Sequence, residues 1–247
     1  MQPGSVILVD KPASMTSFGV VARIRRILTE ELQSKEGKGA AGFAGAPHVE
    51  GKPLVVPQKR KRLKVGHTGT LDPFATGLMV VLTGKQTKNA EKYSKLDKTY
   101  EAEIRLGQTS TTGDPEGGIT AVSGTVPTKK QVEQTLSSFV GHIEQTPPVF
   151  SAIKVDGQRA YKLARAGKTP EIPKRTVNIY SIELTGYTYP VVKFTTHVSS
   201  GTYIRSLAED IGRALGTGAY TTALRRTRVG EFSIEGAQKL IDLGIKD

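Results

Sequence analysis

Residues 66–78, with the sequence Gly-His-Thr-Gly-Thr-Leu-Asp-Pro-Phe-Ala-Thr-Gly-Leu, form the stretch on which the interpretation of this chain depends. Glycine and threonine contribute little volume to a core, so we expect a shaped loop between two structured elements. Asp72 precedes Pro73, which favours an extended backbone at the aspartate. Taken alone, an aspartate in such a loop most often forms an Asx turn, and a nucleophile or a general base are the alternatives.

The segments on either side of this stretch predict both strands and helices. The apolar residues 5–9 predict a buried strand that ends at Asp10-Lys11-Pro12. Thr16 or Ser17 can cap a following helix. The predicted apolar stripe of that helix consists of Phe18, Val21, Ile24, Leu28 and Leu32.

Further along the chain, alternation over residues 99–106 predicts a half-buried strand with Tyr100 on its apolar face. Thr128 and Gln131 form a capping box that opens a helix. Residues 177–184 and 191–198 predict two more strands, and Ile204 to Leu215 a last helix. Because strands and helices do not alternate strictly, we expect an α+β fold around a mixed sheet.

The composition excludes several classes of protein. The 247 residues contain no cysteine, which excludes disulfides, thiolate metal ligands and cysteine nucleophiles. The four histidines are scattered, so no metal site is expected. Lysine and arginine exceed the acidic residues by 12, which favours a polyanionic partner, either nucleic acid or an anionic membrane surface. No signal peptide or membrane-spanning run is predicted, so we expect an intracellular protein of unassigned compartment (nuclear, mitochondrial or cytoplasmic).

Residues 34–64 differ in composition from the rest of the chain. They are rich in glycine, alanine, proline and lysine, and they lack periodicity. We interpret them as a flexible basic insertion within a single domain that spans residues 1–247. The basic cluster at residues 59–64 is interpreted as an RNA contact or a solvated loop, with a nuclear-import signal as the third alternative.

Several motifs together resemble the TruB family of tRNA pseudouridine synthases. Residues 66–78 are similar to the catalytic motif of that family, and the resemblance extends from about residue 5 to residue 235. The other matching segments, in order, are residues 9–12 with 15–17, 98–100, 106–107, 145–148, 151–154 with Gly157, 200–205 and 224–226.

The resemblance implies a fold and an activity. The fold is that of the pseudouridine synthases, with a mixed, largely antiparallel central sheet, flanking helices and an RNA-binding cleft. The activity is isomerisation of the uridine at position 55, in the TΨC loop of tRNA, to pseudouridine. The chemistry needs no cofactor, and the target base must be flipped out of its folded loop to reach the site.

The resemblance also assigns catalytic roles. Asp72 corresponds to the catalytic aspartate, which adds to the target nucleoside, and the sequence leaves open whether it attacks the sugar or the base. Tyr100 corresponds to an aromatic residue that stacks on the flipped base and takes part in removing its C5 proton. Arg205 corresponds to the arginine that pairs with the catalytic carboxylate, and such a pair favours the ionised form.

Substrate contacts follow from the same motifs. His67 corresponds to the histidine that helps to hold the RNA loop open. Tyr203 and Leu224 correspond to residues that line the uracil pocket. Lys11, in the opening motif, is assigned to the RNA-binding set.

Residues 147–175 are expected to form an RNA-gripping insertion. Seven basic side chains lie between residues 154 and 175, among them Lys154, Arg159 and Lys162, with Tyr161 interleaved. A basic arm that carries an aromatic ring can neutralise phosphates while it stacks on a base or ribose.

Two departures from the family pattern and two alternatives remain. No C-terminal domain of the PUA type is expected after the catalytic motifs, and the long 34–64 insertion with residues 145–148 is more typical of fungal or other eukaryotic members. The alternatives are a tRNA-binding or tRNA-folding module without catalysis, and the same isomerase acting on T-loop-like mRNA hairpins. The expected partner is the T-arm of tRNA, with no membrane contact and a monomeric chain.

Overall fold

The computed structural model describes residues 4–37, 63–151, 153–155, 157–168 and 170–244. Most of the predicted 34–64 insertion, including residues 59–62 of its basic cluster, lies outside the described residues, as does the side chain of Tyr161.

Strands make up most of the fold. In chain order they are β1 (Val6–Lys11), β2 (Val65–His67), β3 (Thr76–Thr83), β4 (Lys98–Leu106), β5 (Gln108–Ser110), β6 (Ile119–Ala121), β7 (Gly141–Gln145), β8 (Lys154–Val155), β9 (Gln158–Arg159), β10 (Arg175–Thr188), β11 (Val191–Val198), β12 (Ala219–Val229), β13 (Phe232–Ser233) and β14 (Gln238–Lys239).

The helices are fewer. The α-helices are α1 (Ser17–Gly37), α2 (Ala90–Ser94), α3 (Lys129–Ser138), α4 (Ala160–Arg165) and α5 (Ile204–Ala214). Short 3-10 helices cover Gly84–Asn89, Ile234–Gly236 and Ile241–Leu243.

One large mixed sheet organises the molecule. Its strand order is β14-β1-β3-β12-β4-β11-β10-β7, with β2 paired to β3 and β13 paired to β12. The pairs β1 with β14 and β3 with β12 are parallel, and the other pairs in this sheet are antiparallel. The predicted α+β architecture with a mixed, largely antiparallel sheet is confirmed.

Strand β3 lies within the sheet and is buried on both faces. Leu78, Val80 and Leu82 belong to one apolar cluster. Met79 and Val81 belong to the larger core on the opposite face. A continuous apolar run is the pattern expected of a strand that is covered on both sides, because successive side chains point to opposite faces.

Helices α1, α3 and α5 pack on the face that carries the larger core. The predicted inner face of β4 is confirmed, since Tyr100, Ala102, Ile104 and Leu106 are all buried there. The helix residues buried in the same core include Val20, Ile24, Leu28, Val132, Leu136, Leu207 and Ile211.

The local signals for α3 and the later strands are also confirmed. The amide of Gln131 donates to Thr128 Oγ1 at 3.3 Å, and the amide of Thr128 donates to Gln131 Oε1 at 2.8 Å, which completes the capping box. The predicted strand 177–184 lies within β10, and 191–198 coincides with β11.

The predicted end of the first strand is confirmed, and one detail of the first helix is wrong. Strand β1 ends at Lys11, within the predicted limit Asp10-Lys11-Pro12, and both Asp10 and Lys11 pair with β3. Phe18 does not belong to the buried stripe of α1, since 69% of its surface is exposed. At about 100° per residue, Phe18 lies about 100° around the helix from the centre of the stripe formed by residues 20, 21, 24 and 28.

The parallel contact between β3 and β12 requires a glycine at position 77. Gly77 pairs with Arg226, and its φ of +103° lies in a region that side chains rarely adopt. A Cβ at this position would lie 2.3 Å from the carbonyl oxygen of Arg226 and 2.7 Å from its nitrogen. The two strands therefore approach more closely than any other residue at position 77 permits.

We expect Gly77→Ala to lower the free energy of unfolding by about 3 kcal/mol, through backbone strain and the clash with β12. Urea denaturation followed by circular dichroism measures this change. The control is Gly66→Ala in β2, where a Cβ meets nothing within 4 Å. Equal stabilities of the two variants would contradict this account of position 77.

Candidate active site

A hairpin loop presents Asp72. Strands β2 and β3 pair with His67 opposite Val81, so residues 68–75 form the connection between them. The carbonyl of Asp72 accepts a hydrogen bond from the amide of Ala75 at 3.1 Å, which closes a tight turn with Pro73 inside it. The expectation of a shaped loop is confirmed.

The carboxylate of Asp72 contacts the guanidinium of Arg205 at two points. Arg205 Nε lies 2.9 Å from Oδ2, and Nη2 donates to Oδ1 at 3.3 Å. The arginine side chain is 4% exposed and that of Asp72 is 30% exposed, so the pair has a buried side and an open side. A planar guanidinium that meets a carboxylate in this way fixes its orientation as well as its charge.

The rest of the Arg205 guanidinium is occupied by other loops. Nη1 lies 3.2 Å from Asp114 Oδ2 and donates to the carbonyl of Thr112 at 2.7 Å. Nη2 also donates to the carbonyl of Phe150 at 2.9 Å. Asp114 was not predicted from the sequence, although it precedes a proline in a glycine-rich turn just as Asp72 does.

The pKa of Asp72 lies above its ordinary value. Removal of the carboxylate from water raises the pKa most, and the charge and hydrogen bond of Arg205 oppose this rise. Asp114 raises the pKa further, while Lys11 lowers it. The pairing that we expected from the sequence is present, but burial outweighs its effect on the pKa.

Lys11 is buried, which contradicts its assignment as an RNA contact. Its side chain is fully buried, and Nζ donates to the carbonyls of Pro12 and Met15 at 2.7 Å and of Pro73 at 3.1 Å. Burial lowers the pKa of Lys11 to about 8, against the opposing charge of Asp72. The ammonium therefore ties the connection between β1 and α1 to the loop that carries Asp72.

A cavity of about 740 Å³ opens above Asp72 and brings most of the predicted site residues together. Its lining includes Asp72, Arg205, Tyr100, His67, Tyr203, Leu224 and Arg159. Lys154 and Lys162 do not line it. They are exposed on β8 and α4, within the predicted RNA-gripping insertion.

His67 and Tyr203 both line this cavity. Burial and the nearby charge of Arg226 lower the pKa of His67, and its buried Nδ1 has no hydrogen-bond partner among the described residues. The backbone of Tyr203 is clamped by the fully buried Gln145, which accepts from its amide at 2.8 Å and donates to its carbonyl at 3.0 Å.

Two buried cations that were not singled out from the sequence also line the cavity. Arg226 is 2% exposed and donates to the carbonyls of Leu78 and Gly69 at 2.8 and 3.1 Å. Lys98 is 7% exposed, and burial lowers its pKa to about 8. Both side chains bring positive charge to the cavity, which would favour an anionic group inside it.

The described part of the chain holds no group of three or more His, Asp and Glu side chains arranged for a metal ion. Among the helices of the same residues, none is both long and apolar enough to cross a membrane.

Two family models match the chain. Residues 57–204 match the model described as TruB family pseudouridylate synthase, N-terminal domain. Residues 205–244 match tRNA pseudouridylate synthase B, C-terminal domain. The chain belongs to the TruB family. Within this family member the boundary between the two models does not divide the sheet, since β12 pairs with both β3 and β4.

Curated relatives cover most of the chain. A protein named tRNA pseudouridine synthase B from Parabacteroides distasonis is 42% identical over 94% of this chain and 88% of its own length. One with the same name from Cupriavidus taiwanensis is 41% identical over 98% of this chain and 68% of its own length. These relatives are bacterial and lend no support to the expected likeness to fungal members.

Solved structures of similar fold come from larger assemblies. A Cbf5-Nop10-Gar1 complex matches with a TM-score of 0.65 and 32% identity over 96% of this chain. An H/ACA RNP bound to a substrate RNA containing 2′-deoxyuridine matches with a TM-score of 0.63 and 28% identity over 98% of this chain. This TruB-family chain spans about half of those matched chains, 53% and 56% respectively. The expected pseudouridine synthase fold is confirmed.

We expect Asp114→Asn to lower the pKa of Asp72. The substitution removes a like charge that raises this pKa, and it leaves more of the Arg205 charge to Asp72. A titration of the ¹³Cγ resonance by NMR, assigned with Asp72→Asn, measures the shift. The control is Asp210→Asn, which alters a surface ion pair between Asp210 and Arg213, both of which lie on α5 with Arg205. A raised or unchanged pKa in the Asp114 variant would refute this assignment of charges.

Proposed function

We propose that this chain isomerises uridine to pseudouridine in the T-arm of tRNA, with Asp72 as the nucleophile. The observation that carries the proposal is the carboxylate of Asp72, held by Arg205 at 2.9 Å in the lining of a cavity of about 740 Å³ that also has Tyr100 in its wall. The names of the curated relatives support the reaction and the tRNA substrate.

The proposed reaction moves one bond and leaves the composition of the RNA unchanged. The bond from C1′ to N1 breaks, with its electron pair leaving on the uracil, while a carboxylate oxygen of Asp72 adds to the nucleoside. The uracil then rotates, and a bond from C1′ to C5 forms as Asp72 is released. The C5 proton is lost and N1 gains a proton, so that the sum of atoms is conserved.

The site residues fit these steps. Attack requires the ionised form of Asp72, so activity should fall as the pH drops through a pKa that lies above the ordinary value for aspartate. Negative charge develops on the departing uracil, and the buried cations Arg226 and Lys98 favour it electrostatically. Tyr100 is 7% exposed and offers a flat face for the base, with Leu224 beside it in the wall.

We further propose that the chain acts as a monomeric intracellular enzyme and that residues 147–175 grip the RNA. The proposed catalytic groups Asp72, Tyr100 and Arg205 all line one cavity. The gripping segment carries the exposed side chains of Lys154, Arg159 and Lys162, and Arg159 reaches the cavity wall. Such exposed cations neutralise phosphates by contact and displace counterions.

We expect Asp72→Asn to reduce isomerisation by about a thousandfold or more, because an amide cannot act as the nucleophile. Tritium release from a T-arm hairpin that contains 5-tritiated uridine measures the reaction, and filter binding measures the affinity for the same hairpin. Asp242→Asn, outside the cavity, serves as the control. Binding without tritium release by the parent chain would favour the alternative of a non-catalytic RNA-binding module.

We expect the double variant Lys154→Gln/Lys162→Gln to weaken hairpin binding and to flatten its dependence on salt by about 1.5 in the slope of log Kd against log salt. Each removed cation eliminates one phosphate contact and the counterion release that accompanies it. Kd values over a range of salt concentrations measure the slope. The control is Lys129→Gln/Lys130→Gln on α3, and an unchanged slope in the Lys154/Lys162 variant would contradict the proposed grip.

A further inference from the structure

Phe18 is an exposed aromatic residue at the cavity that holds Asp72. It is 69% exposed, although it belongs to the first turn of a long helix whose other large apolar residues include the buried Ile24 and Leu28. An exposed phenylalanine ring keeps a large apolar surface available for contact with a ligand. Phe18 contributes to the lining of the cavity, as do Thr16 and Ser17 before it.

The backbone beneath Phe18 is fixed directly to the Asp72 loop. Ser17 is 2% exposed, and its hydroxyl accepts a hydrogen bond from the amide of Leu71 at 2.8 Å and donates to the carbonyl of Leu71 at 2.9 Å. Thr16 Oγ1 accepts from the amide of Gly19 at 2.9 Å and completes the first turn. Phe18 and Asp72 are therefore each one residue away from a reciprocal pair of hydrogen bonds.

The aromatic residues Phe18, Tyr100, Phe150 and Tyr203 line the cavity and differ widely in exposure. Tyr100 is 7% exposed and lies inside, whereas Phe18 is 69% exposed and lies at the mouth. A single flipped base occupies the inner position in the proposed reaction. The nucleotides next to it must pass the mouth, and their unstacked bases lose their neighbours when the target leaves the loop.

We propose that Phe18 stacks on the base of a nucleotide adjacent to the target uridine and so holds the opened RNA loop at the cavity. This inference rests on the proposed function and names a substrate contact for it. Phe18 has no polar group, so it recognises the π-face of the neighbouring base and contributes affinity with little preference among bases. It acts on substrate binding, whereas Asp72 acts on the bond that breaks.

Substitutions at Phe18 should change the affinity for the hairpin without changing the rate of the chemical step. We expect Phe18→Ala to raise the KM and the Kd for the T-arm hairpin by about tenfold or more, with kcat unchanged. Phe18→Tyr keeps the ring and should keep the affinity, while Phe18→Leu keeps apolar volume without a π-face and should lose most of it. The control is Ile241→Ala, at another residue with 69% exposure that does not line the cavity.

A double-mutant cycle tests the contact itself. Hairpins with an abasic residue on the 5′ or the 3′ side of the target are compared in the Asp72→Asn background, with and without Phe18→Ala. We expect the two losses in affinity to be non-additive on one side, because both changes remove the same stack. Additive losses on both sides, or an unchanged Kd for Phe18→Ala, would overturn the inference. Failure of the parent chain to release tritium would instead refute the proposed function.

Discussion

One guanidinium determines where the carboxylate of Asp72 points. Arg205 lies at the start of α5 and contacts Asp72, Asp114 and the carbonyls of Thr112 and Phe150, which belong to three separate connections of the chain. A lysine could not satisfy this arrangement, since a compact ammonium lacks the planar fork that reaches several acceptors at once. Because the cluster is buried on its inner side, loss of Arg205 would leave the carboxylates of Asp72 and Asp114 without a compensating charge, and the three connections therefore depend on this one side chain.

The sheet supplies the fixed frame for this cluster. Strands β3, β12 and β4 are neighbours, and they carry respectively the end of the Asp72 loop, Leu224 with Arg226, and Tyr100 with Lys98. Adjacent strands keep a spacing of about 4.8 Å, so the hydrogen-bonded ladder sets the separation of these side chains. Below the loop, the ammonium of Lys11 joins three carbonyls to the same frame.

The sequence predicted the parts of this molecule that local pattern controls. Alternation gave the buried face of β4, and the Thr128 capping box gave the start of α3. The resemblance to one family predicted that Asp72 and Arg205 pair, although they are 133 residues apart in the chain. Local pattern does not specify tertiary partners, which is why Lys11 was assigned to the RNA-binding set and Phe18 to the buried stripe of α1.

Asp72 and Arg205 are 133 residues apart in the chain, so their contact forms late in synthesis. A nascent chain that emerges from the ribosome carries Asp72 well before α5 and β12 have been made, and domains made from the N-terminus complete their long-range contacts late. Before Arg205 has been synthesised, the carboxylate of Asp72 lacks the side chain that orients it. Strand β3 likewise lacks its neighbour β12. The arrangement around Asp72 is thus complete only when the fold is complete, so incomplete translation products carry the aspartate without a site around it.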